Sequence, residues 1–154
     1  MTKFAPATDM IHIGIDTGTH TGIAVWDSRS QCFRAIEDVA IHKAMEIVAQ
    51  YKGIAESEGV RLYVRVEDPR QRTWFGTEHM SCEEERKKLQ GVGSVKRDAS
   101  IWEAYLTDLG VWFEMVAPKR NLTKISHESF VNITKWKGRT NEHKRDAAML
   151  VFGK

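Results

Sequence analysis

The sequence predicts an α/β fold: a mixed five-stranded sheet with helices on both faces, in the order β-β-β-α-β-α-β-α. Three short runs of apolar and β-branched residues lie close together near the N-terminus, and strand-like and helix-like segments alternate along the rest of the chain. A meander of three strands followed by crossover helices gives such a sheet. At this length, residues 1–154 are predicted to form a single domain.

The first part of the chain predicts three strands and one helix. Met10–Asp16 and Thr21–Asp27 are apolar runs joined by a short polar turn, which predicts an antiparallel hairpin, and Cys32–Glu37 is predicted as a third strand. Apolar residues then recur at helical spacing over residues 41–55, and Gly59 is typical of a helix C-terminus.

The later elements alternate between strand and helix. Val60–Glu67 alternates as a fourth strand does, Pro69 ends it, and a polar loop is predicted from Asp68 to about Cys82. The remaining predicted elements are a long helix at Val92–Leu109, a fifth strand at Val111–Val116, and shorter helices at Ser126–Trp136 and Asn141–Phe152.

The composition excludes several protein classes. Hydrophobic residues make up 42% and charged residues 29%, a balance that argues against a disordered chain. No apolar run reaches the roughly 18 residues of a spanning helix, and no secretory signal precedes Asp9. Cys32 and Cys82 lack metal-site spacing and are too few for a disulfide framework, so we expect free thiols in a cytoplasmic protein.

Charge is divided unevenly along the chain, although the net charge is only +2. Residues 1–85 carry 9 Lys/Arg against 14 Asp/Glu, whereas residues 86–154 carry 14 against 7. Clustered Lys and Arg attract phosphates, so the basic second half favours a polyanionic partner. An ordinary solvated basic surface is the alternative, and the charge pattern does not decide between the two.

Four residues predict a metal site. Asp16 and Glu67 each end a predicted strand, where functional groups collect in open α/β sheets. His143 and Asp146 share one face of a predicted helix, and that face points inward. Buried carboxylates require compensation, and this set of ligands suits Mg²⁺ or Mn²⁺. Taken singly, each residue is also explained as a turn residue, a loop opener or a helix-surface pair, but their combination favours the metal site.

The segment IGIDTGTHTGIAVWD resembles the opening strand-turn-strand of the RuvC-like Holliday-junction resolvases, of phage or bacterial type, in the ribonuclease H-like superfamily. The resemblance continues with Glu67 at the end of the fourth strand, LQGVGSV at a helix entry, VAP before Lys119, and HKRDAA in the last helix. It covers nearly the whole chain except residues 68–85. One departure is Thr17, where the family usually has Pro.

The resemblance implies a ribonuclease H-like nuclease of DNA recombination and repair, in a prokaryotic or phage-infected cell. Its metal-binding catalytic residues would be Asp16, Glu67, His143 and Asp146. Two Mg²⁺ ions, or Mn²⁺ as a substitute, would clamp the scissile phosphate without a covalent nucleophile or a nucleotide cofactor. Asp16, on the central strand, is the candidate ligand for both ions.

A homodimer is expected, because resolving a four-way junction takes two symmetric cuts and one domain of this size supplies one site. The helix at Val92–Leu109 is the candidate interface. It carries more large side chains than one sheet face requires, namely Ile101, Trp102, Tyr105 and Leu109. Packing of all four onto the sheet is the alternative.

Two groups of residues are candidates for binding branched DNA. Basic residues after the fifth strand and around the last helix could hold phosphates: Lys119, Lys124, Lys137 and Arg139. The segment after Glu67 interleaves basic side chains with rings that could stack on unpaired bases: Arg70, Arg72, Trp74 and Phe75. The alternatives are a solvated basic surface and rings that anchor the loop to the core.

Other functions share some of these features. The opening motif also resembles the phosphate loop of actin-like ATPases and sugar kinases, which need two such domains facing a cleft. The nucleases of pre-ribosomal RNA share the Asp-Thr-Gly start and would act on RNA. A catalytically inactive nucleic-acid-binding module of the same fold is the third alternative. Titration with divalent metals separates these classes, because they differ in whether metal supports cleavage or leaves binding unchanged.

Overall fold

The computed structural model describes residues 9–72, 81–119 and 124–154. Its strands are β1 Met10–Asp16, β2 Thr21–Asp27, β3 Cys32–Val39, β4 Arg61–Glu67 and β5 Trp112–Val116. They form one sheet in the order β3-β2-β1-β4-β5. β2 pairs antiparallel with β1 and β3, whereas β4 pairs parallel with β1 and β5. The predicted mixed five-stranded sheet is therefore confirmed.

Helices cover both faces of this sheet. The described helices are α1 Ile41–Glu58, α2 Cys82–Leu109, α3 His127–Thr134 and α4 Glu142–Met149. α1 and α2 bury one face, where Trp102 packs with Ile13 and Val64. α3 and α4 cover the opposite face, where Phe130 packs with Trp26. The placement of the helices agrees with the predicted α/β class. Among the described helices, none has the length and apolar character of a membrane span.

α2 begins at Cys82, ten residues before the predicted start at Val92. The Ser81 hydroxyl accepts a hydrogen bond from the Glu84 amide, and the Glu84 carboxylate accepts one from the Ser81 amide. This capping box satisfies two amides that a helix start leaves without partners. Apolar periodicity marks only the later part of the helix, which approaches the sheet, so the prediction from periodicity was wrong at this end. The other predicted helices and strands agree to within three residues at each end.

Three of the four side chains behind the predicted dimer interface pack inward. Trp102 is fully buried, Leu109 packs against the same core, and the Tyr105 hydroxyl donates a hydrogen bond to the Met45 carbonyl of α1 at 2.9 Å. Ile101 is the exposed member of the four, at 42%. The large side chains of α2 are therefore explained by its contacts with α1 and the sheet, and they do not argue for a dimer.

α4 lies directly on the backbone of β1 and β2. A Cβ atom added to Gly14 would lie 2.1 Å from the carbonyl oxygen of Ala147, and one added to Gly22 would lie 2.1 Å from that of His143. No real Cβ approaches an oxygen so closely, and glycine is the residue that allows such an approach of two backbones. The two glycines therefore set the distance between α4 and the sheet.

Replacing Gly14 or Gly22 by Ala is expected to lower the free energy of unfolding by about 1–3 kcal/mol, because α4 must move away from the sheet. Gly53→Ala is the matched control: Gly53 lies exposed in α1 with nothing within 4 Å of an added Cβ. That change should stabilise the protein by about 0.5–1 kcal/mol. Urea denaturation measures all three, and wild-type stability in the Gly14 and Gly22 variants would contradict the contact.

Candidate active site

Two of the predicted ligands lie side by side at one edge of the sheet. Asp16 ends β1 and Glu67 ends β4, and the pairing of Ile15 with Val66 brings the two ends level. The Thr17 hydroxyl donates a hydrogen bond to the Glu67 carbonyl at 3.2 Å. A proline at this position could not make that bond. The threonine thus ties the turn after β1 to the end of β4.

α4 brings the other two predicted ligands to the same edge. Asn141 caps the helix, because its side chain accepts a hydrogen bond from the Lys144 amide. His143 Nδ1 lies 3.1 Å from Asp16 Oδ2. The Asp146 side chain is only 18% exposed, and its charge acts on both Asp16 and Glu67. The inward face predicted for this helix is confirmed at Asp146 and Ala147, whereas the His143 side chain at its border is 45% exposed.

The carboxylates are crowded and partly removed from water. Burial raises the pKa of Asp16 to about 7, with further increases from the charges of Glu67 and Asp146 and an opposing effect of the hydrogen bond with His143. Burial also raises the pKa of Glu67, and the charge of Asp146 adds to it. Negative charge at this edge is therefore costly unless a cation balances it.

Lys124 supplies positive charge to this edge. Its ammonium group forms ion pairs with Asp146 and, at 3.1 Å, with Glu142. Partial burial opposes protonation, but these bonds prevail and raise the pKa of Lys124. Across residues 9–72, 81–119 and 124–154, no three His, Cys, Asp or Glu side chains surround a common point as metal ligands do. Asp146 faces the lysine instead.

His20 and Asp38 adjoin the site, although neither was predicted as a site residue. The His20 ring stacks on His143 with 6.1 Å between ring centroids, and its Nδ1 lies 3.6 Å from Asp38 Oδ1. Asp38 Oδ2 accepts a hydrogen bond from the Asn141 side chain at 2.6 Å, so this β3 residue also holds the start of α4. The available signal was topological: β3 runs parallel to β1, so Asp38 comes to the edge that holds Asp16.

The basic residues predicted to hold phosphates occupy two places. Lys119 and Lys124 line a cavity beside Glu67 and Asp146. Lys137 and Arg139 are exposed in the loop between α3 and α4. The first pair therefore lies at the candidate site itself.

The predicted binding segment after Glu67 is only partly described. Arg70 binds Asp68 at 2.8 Å and also pairs with Glu103, so its guanidinium joins the turn after β4 to α2. Arg72 is exposed, and its positive charge acts on Glu67. The other two members of the group, Trp74 and Phe75, lie outside the described residues.

Comparison of the chain with protein-family models, curated proteins and solved structures finds no match.

The raised pKa of Asp16 predicts how stability depends on pH. Between about pH 4 and pH 7 the carboxyl is ionised in the unfolded chain but keeps its proton in the folded one. Its contribution to the free energy of unfolding therefore falls as pH rises through this window. Asp16→Asn removes that contribution, so without divalent ions this variant should exceed the wild type in free energy of unfolding by about 4 kcal/mol at pH 8 and by less at pH 5.

Urea unfolding of both proteins at pH 5, 6, 7 and 8 gives this difference directly. Glu56→Gln, at an exposed position of α1, is the control and should show no such trend. A constant difference between wild type and Asp16→Asn across the four pH values would contradict the buried, crowded state of Asp16.

Proposed function

We propose that this chain is a divalent-metal-dependent endonuclease that cleaves phosphodiester bonds in branched DNA, with the four-way junction as its substrate. The observation that carries the proposal is that Asp16, Glu67, His143 and Asp146 lie at one edge of a mixed α/β sheet, although within the described residues no three of them surround a common point as metal ligands do. The fold is compatible with the ribonuclease H-like arrangement that the motifs resemble. Lysines beside the carboxylates support a phosphate-bearing substrate.

The chemistry of the donor set fits a hard divalent cation. Burial and mutual repulsion keep the pKa of Asp16 near 7, which means that the surrounding groups balance the negative charge incompletely. Carboxylate oxygens with one imidazole are donors that Mg²⁺ and Mn²⁺ accept, and the four residues named above would hold the ions. When bound, such ions activate water and neutralise charge on the leaving oxygen.

The side chains of the protein position the substrate. Lys119 and Lys124 bind nonbridging phosphate oxygens, which holds the strand against the sheet edge. Lys124 neutralises Asp146 in the free protein, and a cation held by that carboxylate would leave the lysine available to a phosphate. Asp16 and Glu67 end strands of the sheet and are not on long loops. Their carboxylates are therefore held rigidly beside the position of the phosphate.

Asp16→Asn, Glu67→Gln and Asp146→Asn should each reduce cleavage of a four-way junction at least about 100-fold, whereas binding should stay within about threefold of the wild type. The amides keep the shape of the carboxylates but lose the charge that holds a cation. Glu56→Gln is the matched control and should cleave at the wild-type rate. Single-turnover cleavage at saturating Mg²⁺ measures the rate, and a wild-type rate in any of the three variants would contradict the site.

A panel of labelled four-way, three-way, flap, hybrid and linear substrates, each with Mg²⁺ or Mn²⁺, tests the substrate class. Faster cleavage of the four-way junction than of the other DNAs supports the proposal. Cleavage confined to RNA-containing strands would show a ribonuclease. Tight binding without cleavage in either metal would show a binding module that lacks catalysis.

We also propose that the active form is a symmetric homodimer, since resolution of a junction requires two opposed cuts. Analytical sedimentation with and without a four-way junction should show two chains on each junction, and product analysis should show nicks in two opposite strands. A protein that stays monomeric on the junction, or that cuts one strand only, would instead be a single-strand nuclease.

A further inference from the structure

A cavity of about 260 Å³ opens beside the candidate catalytic carboxylates. Four charged residues contribute to its lining, namely Glu67, Asp146, Lys119 and Lys124. The rest of the lining is apolar and comes from the end of β5, from the approach to α3 and from the end of α4: Val116, Ala117, Ile125, Met149 and Leu150.

The two parts of this lining suit different chemical groups. Carboxylates bind cations and lysines bind phosphates. The apolar part of the lining forms neither hydrogen bonds nor ion pairs with such groups. Met149 is 38% exposed next to the charged Asp146, so apolar surface faces water at the point where the substrate would lie. A ligand that fits both parts has an anionic group joined to a flat, largely apolar body. A nucleotide has this construction.

We propose that the cavity binds one unpaired nucleobase, next to the scissile phosphate that the lysines hold beside the carboxylates. The inference rests on the proposed function and specifies its substrate further. The cavity is smaller than the roughly 300–1,000 Å³ of pockets for drug-sized ligands, which is consistent with a single base. A base within a duplex is stacked between its neighbours and cannot enter, so cleavage requires a branch point, a bulge or another unpaired position at the cut.

The test uses four-way junctions with 2-aminopurine at the nucleotides beside the cut, bound in Mg²⁺ to the full-length Asp16→Asn protein, which is expected to bind the junction without cleaving it. Fluorescence should rise on binding, because the base leaves the stack. Met149→Trp fills the cavity and should abolish the rise while DNA is still bound. Ile54→Trp is the matched control, since Ile54 is a similarly exposed apolar residue on α1, and it should behave as the wild type.

A second measurement does not depend on any variant folding. An abasic site at the same nucleotide should weaken binding of the wild-type protein about tenfold, whereas an abasic site several nucleotides away should not. Free deoxyadenosine monophosphate should fail to displace the junction, because the cavity serves a base that belongs to a strand. Displacement at micromolar concentration would overturn the inference in favour of a mononucleotide site.

These outcomes separate the inference from the proposed nuclease. A protein that cleaves junctions, but shows neither the fluorescence rise nor the abasic effect, is a nuclease without a base-binding cavity. A protein that shows both effects and cleaves nothing in Mg²⁺ or Mn²⁺ keeps the cavity and loses the catalytic proposal. A rise that persists in Met149→Trp would also overturn the inference, because the base would then bind elsewhere.

Discussion

The contact between α4 and the glycines of β1 and β2 determines where half of the candidate site lies. At Gly14 and Gly22 the helix backbone approaches the sheet so closely that no side chain fits between them. His143 and Asp146 are carried on that helix, so their height above the sheet follows from this contact. With a wider separation, the imidazole would not reach Asp16, to which it now lies within hydrogen-bond distance. The packing of the α4 backbone on the sheet therefore determines which side chains can interact at this edge.

The candidate site holds several carboxylates of like charge and one lysine of opposite charge. Burial of this edge raises the pKa of Asp16, the charges of Glu67 and Asp146 raise it further, and Lys124 balances Asp146 and Glu142. Like charges in a protein interior are tolerated when a cation or a shared proton offsets them. In the free protein Lys124 provides part of this offset, and the raised pKa of Asp16 favours its protonated form. A metal ion and a phosphate could replace the proton and the lysine. The free-energy cost of holding the carboxylates together is therefore consistent with a binding site.

The sequence predicted the parts of the structure that depend on local patterns. Asp16 and Glu67 were found because each interrupts an apolar run where a strand ends. Asp146 was found because helical spacing places it on one face with His143 and Leu150. The start of α2 was missed, since its first turns are exposed and carry no apolar period. The pairing of Lys124 with Asp146, the stacking of His20 on His143 and the approach of Asp38 all join residues distant along the chain. Only the docking of α4 and the order of the strands bring them together, and no local pattern encodes that.

One consequence of this architecture concerns the order of events during synthesis. Asp16 and His143 are 127 positions apart, and the histidine lies on a helix of only eight residues. Isolated helices shorter than about 12–15 residues are barely stable in water, so α4 acquires its form by docking on a sheet that must already exist. The ribosome produces the sheet strands first, and chains begin to fold from their N-terminal part. A growing chain thus carries two acidic strand ends but no complete site. The proposed nuclease is therefore inactive on the nucleic acids around it until α4 has folded.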